Sequence, residues 1–383
     1  MELPQSANAP LAAPHRLSGL DLVRGFALLG IGLENLFTMH TQNAGFAEYA
    51  ARYPHGFNHW LLLGLMVLIR SKFYPIFSFV FGAAAALSIP HRGKAYFLRR
   101  QGALFCLGVL QVLLVWDGDV LTQYALMGLV LLLLTRVPPP VLYGLAALLL
   151  LVSFTGQLWG PEVAEPDAFA QKAASVYQSG TFGEMVQVRW QSLVQESFTW
   201  AFLLFLCRIF SFLLLGYAFV RTDGLPLWDK TTWVRRTFLL FLALVGATAA
   251  VIQVAGWRGE NPLPLSQAWG KQLLLTGYFF GLVGFYLLLP LLLRQWTPVR
   301  FLLQPLNWLG QHTLTHYLGQ NLLFSLLFYA YGAGLYGGLA PWQGALLYMG
   351  IIAGQLWLSA RWVRLGKRGP VEKLLRKWAG DKR

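Results

Sequence analysis

Apolar runs of about twenty residues recur along this chain, each long enough to cross the hydrocarbon core of a bilayer as a helix. They fall at roughly Leu20–Met39, Phe73–Ile89, Gly102–Trp116, Val120–Thr135, Val141–Trp159, Phe198–Val220, Phe238–Trp257, Leu273–Leu293, Thr313–Tyr336 and Trp342–Trp362. A further run, Trp60–Ile69, is too short to cross alone and reads as re-entrant or as an interfacial prefix to the second span. Hydrocarbon offers the backbone no hydrogen-bond partner, so a chain without barrel-type alternation crosses it as helix. The expectation is an all-α, polytopic membrane protein of about ten transmembrane helices.

Composition agrees. The chain is 56% hydrophobic and 12% charged, too little polar surface to coat a soluble fold. Its net charge of +14 would suggest nucleic acid in a soluble protein, but the positions of the basic residues explain it without one. If the spans alternate from an inner N-terminus, 22 of the 30 Lys and Arg residues fall in inner loops and the tail, as the positive-inside rule requires. An odd span count would put the basic tail outside. Both termini are therefore expected in the cytoplasm. Residues 1–16 form a cytoplasmic segment, 17–362 the transmembrane domain and 363–383 a cytoplasmic basic tail. Residues 160–196 form an acidic extracytoplasmic loop, with an amphipathic helix expected around Phe182–Val194. The first run carries Asp21, Arg24 and Glu34 and reads as a retained helix, not a signal peptide. Cys106 and Cys207 lie in apolar runs and read as small core residues.

Ionisable groups within spans are costly to insert and need a reason. Asp21 and Arg24 are three apart in the first helix and can pair; Asn35 lies eleven residues beyond Arg24 on the same face. That stripe lines a site, or anchors a pair at the inner interface. Glu34 reads as reaching outer water. Arg70 and Lys72 flank the second span, where Lys72 can meet Glu34 or an acidic ligand, or snorkel. Asp117 and Asp119, in the turn WDGDV, suit acid–base work or a simple solvated turn. Arg208 sits too deep in the sixth span to snorkel, and implies a buried partner or an anionic ligand. His312, His316 and Gln320 recur every four residues, with Thr313 and Tyr317 beside them. They read as a polar stripe bonding across helices or as catalytic; no metal set is evident. His40, His55 and His59 follow the first span and are each a possible general base.

The pieces LDLVRGFALLGI, SKFYPIFSFVFG, WDGDVLTQYALMG, LGQHTLTHYLGQNLLFSLLFY and KRGPVEKLLRKW, in this order and spacing, resemble the YeiB-like bacterial membrane proteins, a family of unknown function. The resemblance implies that Asp21, Arg24, Gly25, Asn35, Lys72, Phe73, Gly82, Asp117, Gly118, Asp119, Tyr124, Gly310, Thr315, Tyr317 and Gln320 occupy the family's characteristic positions, with His312 and His316 in place of its common Met and Asn. It also implies a bacterial cytoplasmic (inner) membrane. The first two helices distantly resemble the transmembrane acyltransferases that include lysosomal heparan glucosaminide acetyltransferase. There an early Asn works with a loop His; Asn35 matches the Asn, while His59 and His55 stand at a different spacing.

Three readings of function follow. In the first, the protein transfers an acyl group from cytosolic acyl-CoA, a co-substrate and not a resident cofactor, to an envelope glycan or lipid. Asn35, His59 and Asp119 would be catalytic, and Asp21, Arg24, Lys72, Asp117, Arg208, Thr315, His316, Tyr317 and Gln320 would line the substrate sites. The second is a transporter of a small solute. The third is a structural or assembly protein of the membrane.

Overall fold

The computed structural model of the chain describes residues 13–158, 168–197, 199–254 and 265–380, and its regular elements there are all helices. Residues 1–12, Glu162, Glu165, Asp167 and the last three residues, on which some of the expectations above fall, lie outside that range. The helices are α1 (Ala13–Ala51), α2 (Gly56–Gly64), α3 (Tyr74–Arg92), α4 (Lys94–Leu114), α5 (Leu121–Leu133), α6 (Pro139–Thr155), α7 (Ala168–Ser179) and α8 (Phe182–Glu196), followed by α9 (Trp200–Arg221), α10 (Thr231–Val254), α11 (Leu265–Leu293), α12 (Thr297–Leu302), α13 (Gln304–Gln311), α14 (Thr313–Phe328), α15 (Pro341–Arg364) and α16 (Pro370–Trp378).

Each of the ten apolar runs carries a helix among the described residues, the ninth only as far as Phe328. Seven segments are long and apolar enough to cross a membrane on those grounds alone: Gly19–Thr41, Gly56–Arg92, Lys94–Leu114, Pro139–Leu158, Trp200–Arg221, Thr231–Val254 and Trp269–Leu293. The other three runs fall short for physical reasons. Helix α5 has 13 residues, and α14 has 16 and carries His316, Gln320 and Asn321. Helix α15 is long enough but diluted by glycine and polar residues. The protein is a helical, multi-pass membrane protein.

One end of the bundle is basic. The start of α1, the end of α3, the start of α4 and the tail helix α16 surround a common cavity there, lined by Leu20, Arg92, Arg100 and Arg376 among others. Arg221 donates to the Val137 carbonyl (2.6 Å) and Arg294 pairs with Asp229 (2.8 Å) at the same kind of loop between spans. The opposite end is closed by the hairpin of α7 and α8 and by the turn before α15. Helix α8 was expected; α7 was not. Thr181 and Glu184 form a capping box at the start of α8, and these bonds hold the Glu184 carboxyl below its ordinary range.

Two close crossings fix the bundle. A Cβ on Gly25 would lie 1.9 Å from the Leu306 carbonyl oxygen, and one on Gly310 would lie 1.8 Å from that of Asp21. Helices α1 and α13 therefore touch backbone to backbone. Gly82 and Gly216 do the same for α3 and α9, at 1.9 Å from Leu213 O and 1.8 Å from Phe79 O. Lipid gives helices no hydrophobic reason to associate, so close packing of this kind carries the assembly.

The run before the second span resolves as a broken helix. Helix α2 widens into a π-turn over Leu65–Ile69, the helix is interrupted at residues 70–73, and α3 begins at Tyr74. Ser71 has φ of 64°, a left-handed value rarely adopted by residues with a side chain. The break lies beside the middle of the first span, because a Cβ on Gly30 would strike the Phe73 ring. Irregular backbone at that depth needs internal partners. Glu34 supplies one, its carboxylate accepting from Ser71 N at 2.8 Å. Lys72 supplies another, its Nζ donating to the Arg70 carbonyl at 2.7 Å. Glu34 therefore does not reach for water, as its position near the outer end suggested; it holds a neighbouring backbone.

Candidate functional site

The basic end opens into a funnel. Its mouth is a cavity of about 580 Å³ bordered by Arg24, Arg92, Arg100, Arg376, His91 and Glu372. It shares Arg24, Ala84, Arg100, Thr313 and Leu314 with a second cavity of about 200 Å³ that leads inward. That inner cavity is walled by apolar groups such as Ile31, Phe77, Val80, Phe81 and Leu104, and it ends at Tyr124 and Tyr317. A cationic rim thus gives way to an apolar bore with phenols at its closed end.

Sequence-local features build each part. Asp21 and Arg24, one turn apart on α1, form an ion pair at 2.9 Å. Arg100 rises from the first two turns of α4 with its guanidinium over the Phe81 ring (5.7 Å) and within electrostatic reach of Arg24, Arg92 and Arg376. Four like charges round one cavity repel one another, and such crowding is tolerated where an anion joins them. Glu372, on α16, accepts from the free N–H groups of Leu314 (2.9 Å) and Thr315 (3.0 Å) and from the Thr315 hydroxyl. It caps α14 in the way helix N-termini attract carboxylates and ties the tail helix over the mouth.

At the closed end Tyr317 donates to Asp119 Oδ1 at 2.7 Å, and Asp119 Oδ2 accepts from Leu121 N at 2.8 Å. Asp119 is buried, so its own carboxylate is withdrawn from solvent even though Gly118 beside it is exposed. Burial raises its carboxyl above the ordinary range, against the bonds from Tyr317 and the backbone. Tyr317 also lies beside Asn321, whose Oδ1 accepts from Asn35 Nδ2 at 3.0 Å. The Asn321 Nδ2 has no hydrogen-bond partner among the described residues. Asn35, Asn321, Tyr317 and Asp119 therefore form one buried polar chain. Tyr124 closes the floor, donating to the Tyr74 carbonyl at 3.0 Å.

Asp117 faces the other way, toward the hairpin. Burial raises its carboxyl, while Arg189, Ser192 and Tyr177 lower it in part. Arg189 is fully buried, with its guanidinium 5.5 Å from the Tyr177 ring and 5.3 Å from the Tyr329 ring. It donates to the Leu113 carbonyl at 3.3 Å and so plugs α8 onto the end of α4.

The remaining expected residues are dispersed. His316 bonds Ser359 Oγ at 2.6 Å, and Gln320 donates to Gln355 at 2.7 Å, both reaching α15. His312 sits where α13 breaks into α14, its ring against the Trp308 carbonyl at 2.9 Å. Thr315 serves Glu372, as above. His59 lies on α2 with its ring edge-on to Trp60 (5.7 Å); no bond among the described residues joins it to Asn35 or Asp119. His40 accepts from Leu339 N at 3.1 Å and packs on Tyr49. Arg208 and Lys72 lie behind α3, away from the funnel lining. Sequence reasoning passed over Arg100, Arg376, Glu372, Asn321 and Arg189. The first three look like ordinary loop and tail charges, and only the fold gathers them.

Residues 219–381 match a family model described as "Protein of unknown function (DUF418)". The chain is similar to the YeiB-like proteins. The uncharacterized protein YeiB of Escherichia coli (strain K12) is 28% identical across 93% of this chain and 94% of its own length. The uncharacterized protein YxaH of Bacillus subtilis (strain 168) is 29% identical across 97% of this chain and 96% of its own. An uncharacterized 39.9 kDa protein from the amylase 3′ region of Bacillus acidopullulyticus is 28% identical across 95% of this chain and 93% of its own. The family model spans the Tyr317, Asn321 and Glu372 side of the funnel in this YeiB-like chain. The relatives extend over the Asp21, Arg24, Asn35 and Asp119 side as well.

Proposed function

We propose that the funnel takes acyl-CoA, or a closely similar phosphate-bearing acyl thioester, from the cytoplasm of a bacterium. The acyl group is then passed to an envelope glycan or lipid. The observation that carries this reading is the sequence of environments along the funnel. Arginines at the mouth suit phosphates, the apolar bore suits an acyl chain, and the closed end offers a carboxylate–phenol pair. The inner cavity, about 200 Å³, equals the liquid volume of roughly seven waters. That favours a short acyl group over a long chain. The basic end would face the cytoplasm of the inner membrane, as the charge bias supports.

In this reading Asp119 accepts the proton of the acceptor hydroxyl as its oxygen forms a bond to the acyl carbonyl carbon. The carbon–sulfur bond then breaks, and the proton ends on the departing CoA thiol. The free amide of Asn321 donates to the carbonyl oxygen as it gains charge, Asn35 orients Asn321, and Tyr317, by donating to Asp119, holds that carboxylate in place. Asp119 and Tyr317 replace His59 in the proton transfer, since His59 has no bond to the chain of groups at the closed end.

The test is calorimetry on the purified protein in detergent with acetyl-CoA, CoA and S-acetylpantetheine, followed by transfer from radiolabelled acetyl-CoA to isolated envelope glycans and lipids. Binding of the phosphate-bearing ligands, weakened at least about tenfold by Arg100→Gln and by removal of the phosphates, supports the reading; about tenfold corresponds to 1.4 kcal/mol. Failure of CoA species to bind, or binding indifferent to Arg100, sinks it. Asp119→Asn and Tyr317→Phe should abolish transfer while leaving binding. The broken helix at residues 70–73 favours a second reading, because interrupted spans also line transport paths. Solute flux in proteoliposomes without acyl-CoA would support that one.

A further inference from the structure

Behind α3, on the side away from the funnel, two cations stand together inside the membrane. The Lys72 ammonium lies 5.8 Å from the centre of the Phe279 ring and the Arg208 guanidinium 5.6 Å from the same centre. They are close enough to repel one another. Arg208 spends its donors on neutral groups, Ser153 Oγ at 3.0 Å and Tyr74 Oη at 3.2 Å. A second ring, Phe154, holds its other flank at 4.6 Å. Lys72 donates to one backbone carbonyl. Among the described residues neither cation has a carboxylate within ion-pair distance. The nearest acid in electrostatic terms, Glu34, is engaged by the Ser71 amide.

This arrangement has no structural economy. Arg208 is eight residues inside α9 from Trp200, about 12 Å below that helix end. A charged side chain at such depth is paired, hydrated or bound to a ligand. Two cations sharing one aromatic ring stay together at least cost when an anion bridges them. Both are partly exposed, so their charged ends are reachable. Helix α3 starts two residues after Lys72 and directs the positive end of its dipole into the same space.

We propose that Lys72 and Arg208 form a binding site for a phosphate-type oxyanion, set in the half of the membrane opposite the arginine funnel. The site is independent of the acyl-CoA reading, since it shares no lining residue with the funnel. The phosphate can belong to a lipid headgroup entering sideways past α11 or to a free ion from solution.

The test uses the full chain in nanodiscs of phosphatidylcholine alone or with phosphatidylglycerol, and in detergent with inorganic phosphate. Native mass spectrometry counts retained lipid, and thermal melting reads stabilisation. With a lipid source, phosphatidylglycerol is retained in preference to phosphatidylcholine and raises the melting temperature, and Arg208→Gln or Lys72→Met weakens retention about tenfold. With a free-ion source, inorganic phosphate raises the melting temperature of the wild type and not of these variants. Lys72→Met covers the case in which Arg208→Gln fails to fold, and Lys72→Arg should rescue it. Equal retention of both lipids together with no phosphate effect overturns the proposal. So does binding of either anion that survives Lys72→Met undiminished.

Discussion

Replacing Glu34 by Ala should destabilise the protein through a backbone group thirty-seven residues away in sequence. The Glu34 carboxylate accepts from Ser71 N at 2.8 Å, at a break where the chain has no helical partner for that N–H. Hydrogen bonds to a charged acceptor contribute about 1.5–3 kcal/mol, and an orphaned buried donor costs about 1–3 kcal/mol. These describe one event from two sides, so the expected loss is about 2–3 kcal/mol and not their sum. That is roughly a 30- to 150-fold shift in the folding equilibrium. The strain at Ser71, with φ of 64°, offsets part of that loss, because a residue held in the left-handed region relaxes once its anchor goes. Unfolding by SDS titration in mixed micelles, followed by tryptophan fluorescence, measures the loss. Glu34→Gln keeps an acceptor oxygen and should recover at least half of it. Two results refute the reasoning. Glu34→Ala could unfold at the wild-type SDS fraction, so the bond carries nothing. Glu34→Gln could be as weak as Glu34→Ala, so the charge facing Lys72 is what matters and not the backbone acceptor.

Other outcomes follow from the same geometry. Gly310→Ala, which would force a Cβ to 1.8 Å from the Asp21 carbonyl, should separate α1 from α13 and lower the melting temperature sharply; Gly350→Ala, with open space around it, should be neutral or gain up to about 1 kcal/mol. Glu372→Ala removes the acceptor for two N–H groups of α14 and should release α16, seen as faster tryptic cleavage at Lys367 and Arg368, with a loss of about 2–3 kcal/mol. The depressed Glu184 carboxyl stabilises the start of α8 above its unfolded value of 4.5. That contribution disappears as the pH falls through the depressed folded value, so amide exchange at Phe182–Met185, corrected for intrinsic rate, should quicken on acidification and Thr181→Ala should remove the dependence.

Much of this fold was legible because lipid imposes a simple rule. Every apolar run proved to carry a helix among the described residues, and the Asp21–Arg24 pair formed at its expected spacing. What escaped was whatever depends on distance through space. Nothing in RSKFYP says that Ser71 will be held by a glutamate thirty-seven residues earlier, since the break is visible only against α1. Arg189 looked like a hairpin surface charge, yet two tyrosines from distant segments enclose it. Arg100, Arg376 and Glu372 look like ordinary loop and tail charges until α4 and α16 bring them to one cavity. Asn35 reads as part of the polar stripe of the first helix, with the loop histidines standing only at a different spacing from the one the resemblance implies. The actual partner, Asn321, stands beside the Gln320 that drew attention instead.

The brevity of α5 and the polarity of α14 bear on how the protein is made. A nascent segment leaves the translocation channel for lipid according to its own apolarity, and α10 qualifies without help on its length and apolar composition. Helix α5 at 13 residues and α14 with His316, Gln320 and Asn321 are poor candidates for spontaneous partitioning. They are stable only against α4, α1 and α15. These two helices bring Tyr124 and Tyr317 to the floor of the funnel. The floor therefore depends on the packing of its neighbours more than on its own apolarity to stay within the bilayer.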